Sequence, residues 1–101
     1  MTLLVLLAAA IAEVLGDLGM RRGLGGRAWG YVLGVILLSG YGLIVNQPAL
    51  AFGRALGLYI AVFFVVSQGV AFFFFGERPS GPLLAGGALI VAGGLVIHLC
   101  R

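Results

Sequence analysis

The stretch AAAIAEVLGDLGM (residues 8–20) places two carboxylates, Glu13 and Asp17, inside a long apolar run. No other residue between positions 2 and 20 is charged. A helix that crosses a membrane needs about 20 predominantly apolar residues, and residues 2–20 come close to that length. This stretch therefore predicts a membrane-spanning helix that carries two acidic groups within it.

The composition of the whole chain supports this interpretation. Of its 101 residues, 62% are hydrophobic and 9% are charged; its mean hydropathy is +1.22. A soluble domain contains about 25% charged residues. This chain has too few polar side chains to cover a surface that faces water, and we expect an integral membrane protein.

Three further apolar segments follow, at residues 29–45, 51–75 and 83–100. The breaks between the four segments contain Gly, Pro or charge, which are the usual signals that end a helix; they are RRGLGGR (21–27), NQP (46–48) and GERPSGP (76–82). A cleaved signal peptide is disfavoured because Glu13 interrupts the first run and no basic residue precedes Arg21. We expect an all-α membrane protein with one four-helix transmembrane domain over residues 1–101, its neighbouring helices antiparallel.

The net charge of +3 predicts an orientation. Four arginines fall in the two loops on one side, and only Arg101 flanks the other side; the four are Arg21, Arg22, Arg27 and Arg78. By the positive-inside rule these loops face the cytoplasm and both termini face outward. We expect a multi-pass protein of the bacterial cytoplasmic (inner) membrane that contacts lipids and does not bind nucleic acid.

The two carboxylates are the candidate functional groups. Glu13 lies about 17 Å along its helix, near the bilayer centre, where an ionised group costs at least about 2.5 kcal/mol. Such residues usually mark an ion or substrate path, although a protonated Glu13 bonded between helices is an alternative. Asp17 and Ala9 lie one turn to either side of Glu13 on the same helix face. This face has a small side chain at one end and acidic side chains at the other, an arrangement that suits a cation. A local Asp17–Arg21 ion pair is the alternative role for Asp17.

Other chemistry has little support in the sequence. Cys100 is the single cysteine, so no internal disulfide is possible, and His98 stands without metal-ligand spacing around it. No nucleophile is paired with a base. We therefore expect no metal, no cofactor and no enzymatic activity.

Two segments resemble the small multidrug resistance family of the drug/metabolite transporter superfamily. They are AEVLG, around Glu13, and FFGERPSGPLLAGGALIVAGGLVI, in which Gly76, Pro82, Gly86 and Gly93 match the family's positions. The resemblance implies a homodimeric or heterodimeric exporter. One Glu13 from each subunit would line a shared pocket that binds either protons or a cationic substrate.

The third segment departs from the family's drug exporters. Tyr59 stands where those proteins have a Trp; a Tyr ring can still contact a cation, as can that of Tyr41 in the second helix. Arg54 is unexpected beside a cation pocket, and PALAFGR (48–54) is more similar to the YnfA-type branch.

Small residues suggest where helices meet, because helix contacts in lipid rely on close backbone approach. In the fourth helix Gly86–Gly93 and Gly87–Gly94 repeat at a spacing of seven and predict a dimer contact, with packing inside one subunit as the alternative. In the second helix Gly30, Gly34, Gly40 and Gly42 would allow close approach.

The charges also suggest how two subunits are arranged. From the predicted bounds, Asp17 lies about 6 Å from one end of its helix and Arg54 lies at a similar depth from the opposite side. An inverted, antiparallel dimer would bring these charges to one level. The arginine bias favours a single orientation instead, and a paralogue of opposite bias would reconcile the two.

Three functions follow as hypotheses. The first is a proton-coupled exporter, or antiporter, of small organic cations. The second is a half-transporter that needs a paralogue and carries polyamines or similar metabolites. A small dimeric ion channel is the third, and the buried acid Glu13 disfavours it.

Overall fold

The computed structural model describes residues 2–48 and 51–100. The chain forms two compact units, Met1–Leu50 and Ala51–Arg101, each containing two helices. The helices are α1 (Thr2–Leu24), α2 (Trp29–Val45), α3 (Phe52–Phe75) and α4 (Gly81–Leu99). The predicted all-helical class is confirmed, while Arg101, expected in the outer flank, lies outside the described residues.

Three helices are long and apolar enough to cross a membrane: α1 from Leu3, α3 and α4. The fourth, α2, is apolar but has 17 residues. Many large apolar side chains are exposed, among them Phe73 (81%) and Leu89 (76%). An apolar surface of this extent is rare on soluble monomers but suits contact with acyl chains. These features indicate a membrane protein.

Glycine, not charge, ends α1. The helix continues past residue 20 through Arg21 and Arg22, because arginine is a good helix former. Gly26 then takes a positive φ of 105°. Its N–H donates to the Gly23 carbonyl (3.1 Å), and the Arg27 N–H donates to the Arg22 carbonyl (3.1 Å). This pair of bonds is the Schellman ending of a helix, and it places the first two arginines in the last turns of α1 instead of in the expected loop.

Polar side chains end α2 at Val45, the predicted residue. The Asn46 amide donates to the Gly42 carbonyl (2.9 Å), and the Gln47 amide donates to the Leu43 carbonyl (2.6 Å). Carbonyl groups in the last turn of a helix have no partner within it. The NQP break therefore supplies the donors that complete this helix end.

The loop between α3 and α4 is shorter than the sequence predicts. Gly76 ends α3 in the left-handed conformation (φ 65°). The Ser80 hydroxyl accepts from the Leu83 N–H (3.3 Å) and caps α4. Pro82 fits inside the first turn because the N–H that it lacks would have no helical partner there. For this reason α4 begins at Gly81, two residues before the predicted start.

In the first unit, α1 and α2 pack antiparallel through glycines. A Cβ atom on Gly16 would lie 2.8 Å from the Leu38 Cγ, and one on Gly23 would lie 2.7 Å from the Tyr31 ring. Residue numbers rise along α1 as they fall along α2 at these contacts. Both positions exclude any larger residue unless the facing side chain moves.

The closest approach joins backbone to backbone. A Cβ atom on Gly19 would lie 2.9 Å from the Gly30 carbonyl oxygen and 3.0 Å from the Gly34 nitrogen. The expected close approach at Gly30 and Gly34 is therefore confirmed. At Gly40 and Gly42 a Cβ atom would meet nothing within 4 Å.

In the second unit, α3 and α4 also run antiparallel. Gly94 packs against Ala61, and Gly87 lies beneath the Phe64 ring. A Cβ atom on Gly57 would lie 3.1 Å from the Ile97 Cδ1. Small residues thus allow contact in both units.

We expect Gly34→Val to destabilise the α1–α2 contact by about 1–3 kcal/mol, the usual effect of overpacking. The new side chain would press on Met20 and on the Gly16 carbonyl oxygen. Gly40→Val in the same helix is the matched control, because its side chain meets open space. Denaturant titration in detergent, followed by circular dichroism, measures both. Equal losses of stability would contradict the packing role of Gly34.

Candidate functional site

Glu13 lies at the middle of α1. It is equally far from Thr2 and Leu24, about 17 Å in each direction at 1.5 Å per residue. Its side chain is half-buried. A hydrocarbon core about 30 Å thick places this carboxyl near the bilayer centre when α1 spans the membrane.

Ala9 and Asp17 extend the same face of α1. Each lies four residues from Glu13, a spacing that places side chains one above another. Ala9 is fully buried and Asp17 is exposed. The face therefore leads from a closed, small end to an accessible acidic end, with Glu13 between them.

Tyr41 of α2 lies near the two carboxylates. The contact of Gly16 with Leu38 sets the antiparallel register, and three residues further in each direction this register places Tyr41 opposite Glu13. Glu13 and Asp17 both lie close enough to the Tyr41 hydroxyl for their charges, when they are ionised, to act on it. The structure thus brings these three predicted site residues together within the first unit.

This arrangement can hold a cation or exchange protons. Ionised carboxylates only accept hydrogen bonds, whereas a phenol hydroxyl both donates and accepts. A tyrosine ring face also attracts cations. Arg21 follows Asp17 by one turn because α1 continues to Leu24, and a pair at this spacing adds a few tenths of a kcal/mol to a helix. The site therefore has an inner acid near the helix centre and an outer acid next to a basic residue.

Tyr59 belongs to the second unit. It is 4% exposed and, like Leu58 and Ala61 of the same helix, belongs to the buried core. Its ring lies tilted to that of Phe63, with 6.0 Å between the ring centroids. Its expected role as a ring partner for a cation remains a prediction.

Arg54 completes the end of α4. Its Nη2 atom donates to the Ile97 carbonyl (3.1 Å) and to the His98 carbonyl (3.4 Å). These are among the last carbonyls of α4, which have no partners within the helix, and a cation there also interacts favourably with the helix dipole. Sequence reasoning missed this role because the partners lie more than 40 residues away along the chain.

The observed helix bounds alter the depths of two charged residues. Asp17 lies about 10 Å from the end of α1, and Arg54 lies about 3 Å from the start of α3, at 1.5 Å per residue. The sequence predicts the intersubunit pairing because it places the two residues at similar depths. With the observed helix bounds, these depths differ by about 7 Å. The Asp17–Arg54 pair remains a prediction, and it would require Arg54 to leave the α4 carbonyls.

The fourth-helix glycines divide into two sets. Gly87 and Gly94 are buried and contact Phe64 and Ala61 of α3. The other two are exposed and a Cβ atom on either would meet nothing within 4 Å; they are Gly86 and Gly93. The first set therefore packs within the second unit, and the expected dimer contact remains a prediction for the exposed set.

The sequence interpretation overlooked the glycines of α1, which set the register of the site. Gly16, Gly19 and Gly23 recur every three or four residues, a pattern that marks one helix face and was visible in the sequence. No group of three His, Cys, Asp or Glu side chains comes together among residues 2–48 and 51–100.

We expect Arg54→Gln to loosen the end of α4. Loss of a cation at a helix C-terminus lowers local stability by about 0.3–1 kcal/mol, so amide protection at residues 97–100 should fall about two- to five-fold. Hydrogen exchange followed by mass spectrometry measures it. Arg54→Lys, which keeps the charge, should retain part of the protection. Unchanged exchange in the Gln variant would contradict the capping role.

Comparison with known proteins leaves the chain without an assigned relative. No protein-family model matches it, and no curated protein or solved structure is significantly similar to it. The membership suggested by AEVLG and the fourth-helix glycines is therefore a prediction that rests on those residues.

Proposed function

We propose that this protein is a proton-coupled exporter of small organic cations, a dimer of the small multidrug resistance type in the bacterial cytoplasmic membrane. The observation that supports this function best is the position of Glu13 at the centre of α1, on one face with Asp17 and opposite Tyr41. An acid at this depth in a membrane helix usually marks an ion or substrate path.

The chemistry of exchange follows from one carboxyl group serving two ligands. Surroundings of low dielectric constant favour the neutral form of a carboxyl group, and a second nearby carboxylate does so too. In general, two carboxyl groups that interact closely release their protons as one coupled unit. If a cation and protons cannot occupy the site together, entering protons displace the cation. Each pH unit across the membrane then supplies about 1.4 kcal/mol of driving force per proton.

The proposal includes α2 as a fourth span. Seventeen residues form a helix about 25 Å long, at the lower limit of the range for spanning helices. Trp29 begins this helix and is 55% exposed, as suits an aromatic side chain at the membrane interface. Four spans place both loops with arginines on one side.

A half-transporter that pairs with a paralogue is the second candidate. Four arginines on one side favour a single orientation of this chain, whereas an inverted homodimer needs both orientations. A paralogue with the opposite bias would supply the inverted subunit. Polyamines or similar metabolites would be the cargo of such a pair.

We expect Glu13→Gln to abolish proton-driven transport while the helices still form. Glutamine keeps the size and the hydrogen bonding of glutamate but cannot release a proton at any accessible pH. The measurement is uptake of a cationic substrate, such as a quaternary ammonium compound, into proteoliposomes with an imposed pH gradient.

Glu77→Gln is the matched control for this substitution. Glu77 is exposed in the loop between α3 and α4, so its neutral variant should transport at the rate of the unmodified protein. Full uptake by the Glu13 variant, with helicity intact by circular dichroism, would refute the proposed coupling.

We expect affinity for the cation to fall as the pH falls. The cation binds the ionised carboxylates, and protons occupy the same groups at low pH. For each proton that the cation must displace, its affinity falls by up to about ten-fold per pH unit. Titration calorimetry at about pH 5.5 and at about pH 8.5, a range in which proton competition at a carboxyl group within a membrane would be visible, measures this affinity. Constant affinity across the range would contradict competition.

A further inference from the structure

The second unit contains an open groove between α3 and α4. Its volume is about 400 Å³. Phe64, Val65 and Gln68 line one wall, and the α4 wall runs from Leu83 to Val91. These positions on α4 extend about 12 Å at 1.5 Å per residue, so the groove runs from the loop after α3 toward the middle of the helices.

The lining of the groove is apolar except at one point. Among the described residues that line it, Gln68 alone has a polar side chain. Within the described part of the chain, no hydrogen bond joins its amide to another residue. An amide without a partner in hydrocarbon costs several kcal/mol. An occupant that is apolar along its length and carries a hydrogen-bond acceptor would therefore suit this groove.

A basic residue stands next to the loop end of the groove in the chain. Pro79 lines the groove, and Arg78, exposed in the loop, precedes it directly. Glu77 is the acidic neighbour, and its backbone N–H donates to the Ala71 carbonyl (3.1 Å) as part of the ending of α3. Basic side chains beside a cleft between transmembrane helices are typical of sites for anionic lipid headgroups.

We propose that this groove binds an anionic phospholipid. One acyl chain lies along the apolar walls, a glycerol ester oxygen accepts from the Gln68 amide, and the phosphate group pairs with the Arg78 guanidinium. Gly87, one of the lining residues, has no side chain, and this lets the Phe64 ring pack against α4 and form part of the wall. The site lies wholly within the second unit, and it does not depend on the exchange chemistry proposed for Glu13.

The test uses the full chain, purified in detergent and stripped of lipid. The protein is mixed with equal amounts of dioleoyl phosphatidylglycerol and dioleoyl phosphatidylcholine, which share acyl chains and differ in charge. Native mass spectrometry counts each retained lipid. We expect retention of phosphatidylglycerol over phosphatidylcholine by about five-fold, the ratio equivalent to about 1 kcal/mol for one basic residue at an anionic surface. Equal retention of the two lipids would overturn the proposal.

Two pairs of variants locate the site. Arg78→Gln should remove the preference, while Arg27→Gln, in the other exposed loop, should keep it. Ala88→Leu fills the groove and should reduce retention of both lipids several-fold, whereas Ala92→Leu, exposed on α4 and outside the groove lining, should not. If circular dichroism shows loss of helix in either leucine variant, Ala88→Val and Ala92→Val replace them. Equal effects of the substitutions at positions 88 and 92 on lipid retention would contradict the groove as the lipid site.

Discussion

Close contact between glycines is the interaction on which the arrangement of the site depends. Helices in a bilayer gain no hydrophobic stabilisation from meeting, because acyl chains are as apolar as leucine, so they associate where small residues let the backbones approach. Gly19 meets Gly30 and Gly34 at a separation that leaves no room for a Cβ atom. This contact joins α1 to α2 in one register, and a shift by one residue would turn Tyr41 away from Glu13.

The polar groups of the chain show how a membrane helix satisfies its ends. Three kinds of donor complete the helix termini: the backbone N–H groups around Gly26, the amides of Asn46 and Gln47, and the guanidinium of Arg54. An unsatisfied carbonyl has no water to bond in hydrocarbon. Residue types that are typical of loops in the sequence therefore have defined roles in ending the helices.

The acidic groups on α1, unlike the polar groups described above, do not complete a helix end. Glu13 lies about 17 Å from either end of α1, so its carboxyl does not cap that helix. Its face runs from buried Ala9 to exposed Asp17, and Tyr41 approaches from α2. An ionised carboxyl group is costly at this depth unless a proton, a cation or a neighbouring group neutralises it, and the proposed exchange function rests on this cost. The groove between α3 and α4 is a second such feature, because the Gln68 amide in its apolar lining has no hydrogen-bond partner among the residues that the structure describes.

Much of this protein was determined by the sequence alone. Apolar run length and composition predicted an all-helical membrane protein, the four helices and the end of α2 at Val45, because hydrophobicity and helix-ending residues are local properties. The shared face of Ala9, Glu13 and Asp17 followed from the helix period alone. Tertiary structure decided the rest: the register that brings Tyr41 to the carboxylates, the burial of Gly87 and Gly94 beside the exposure of Gly86 and Gly93, and the bonds of Arg54 to α4. These depend on which residues far apart in the chain come within a few ångströms, and no local pattern encodes that distance.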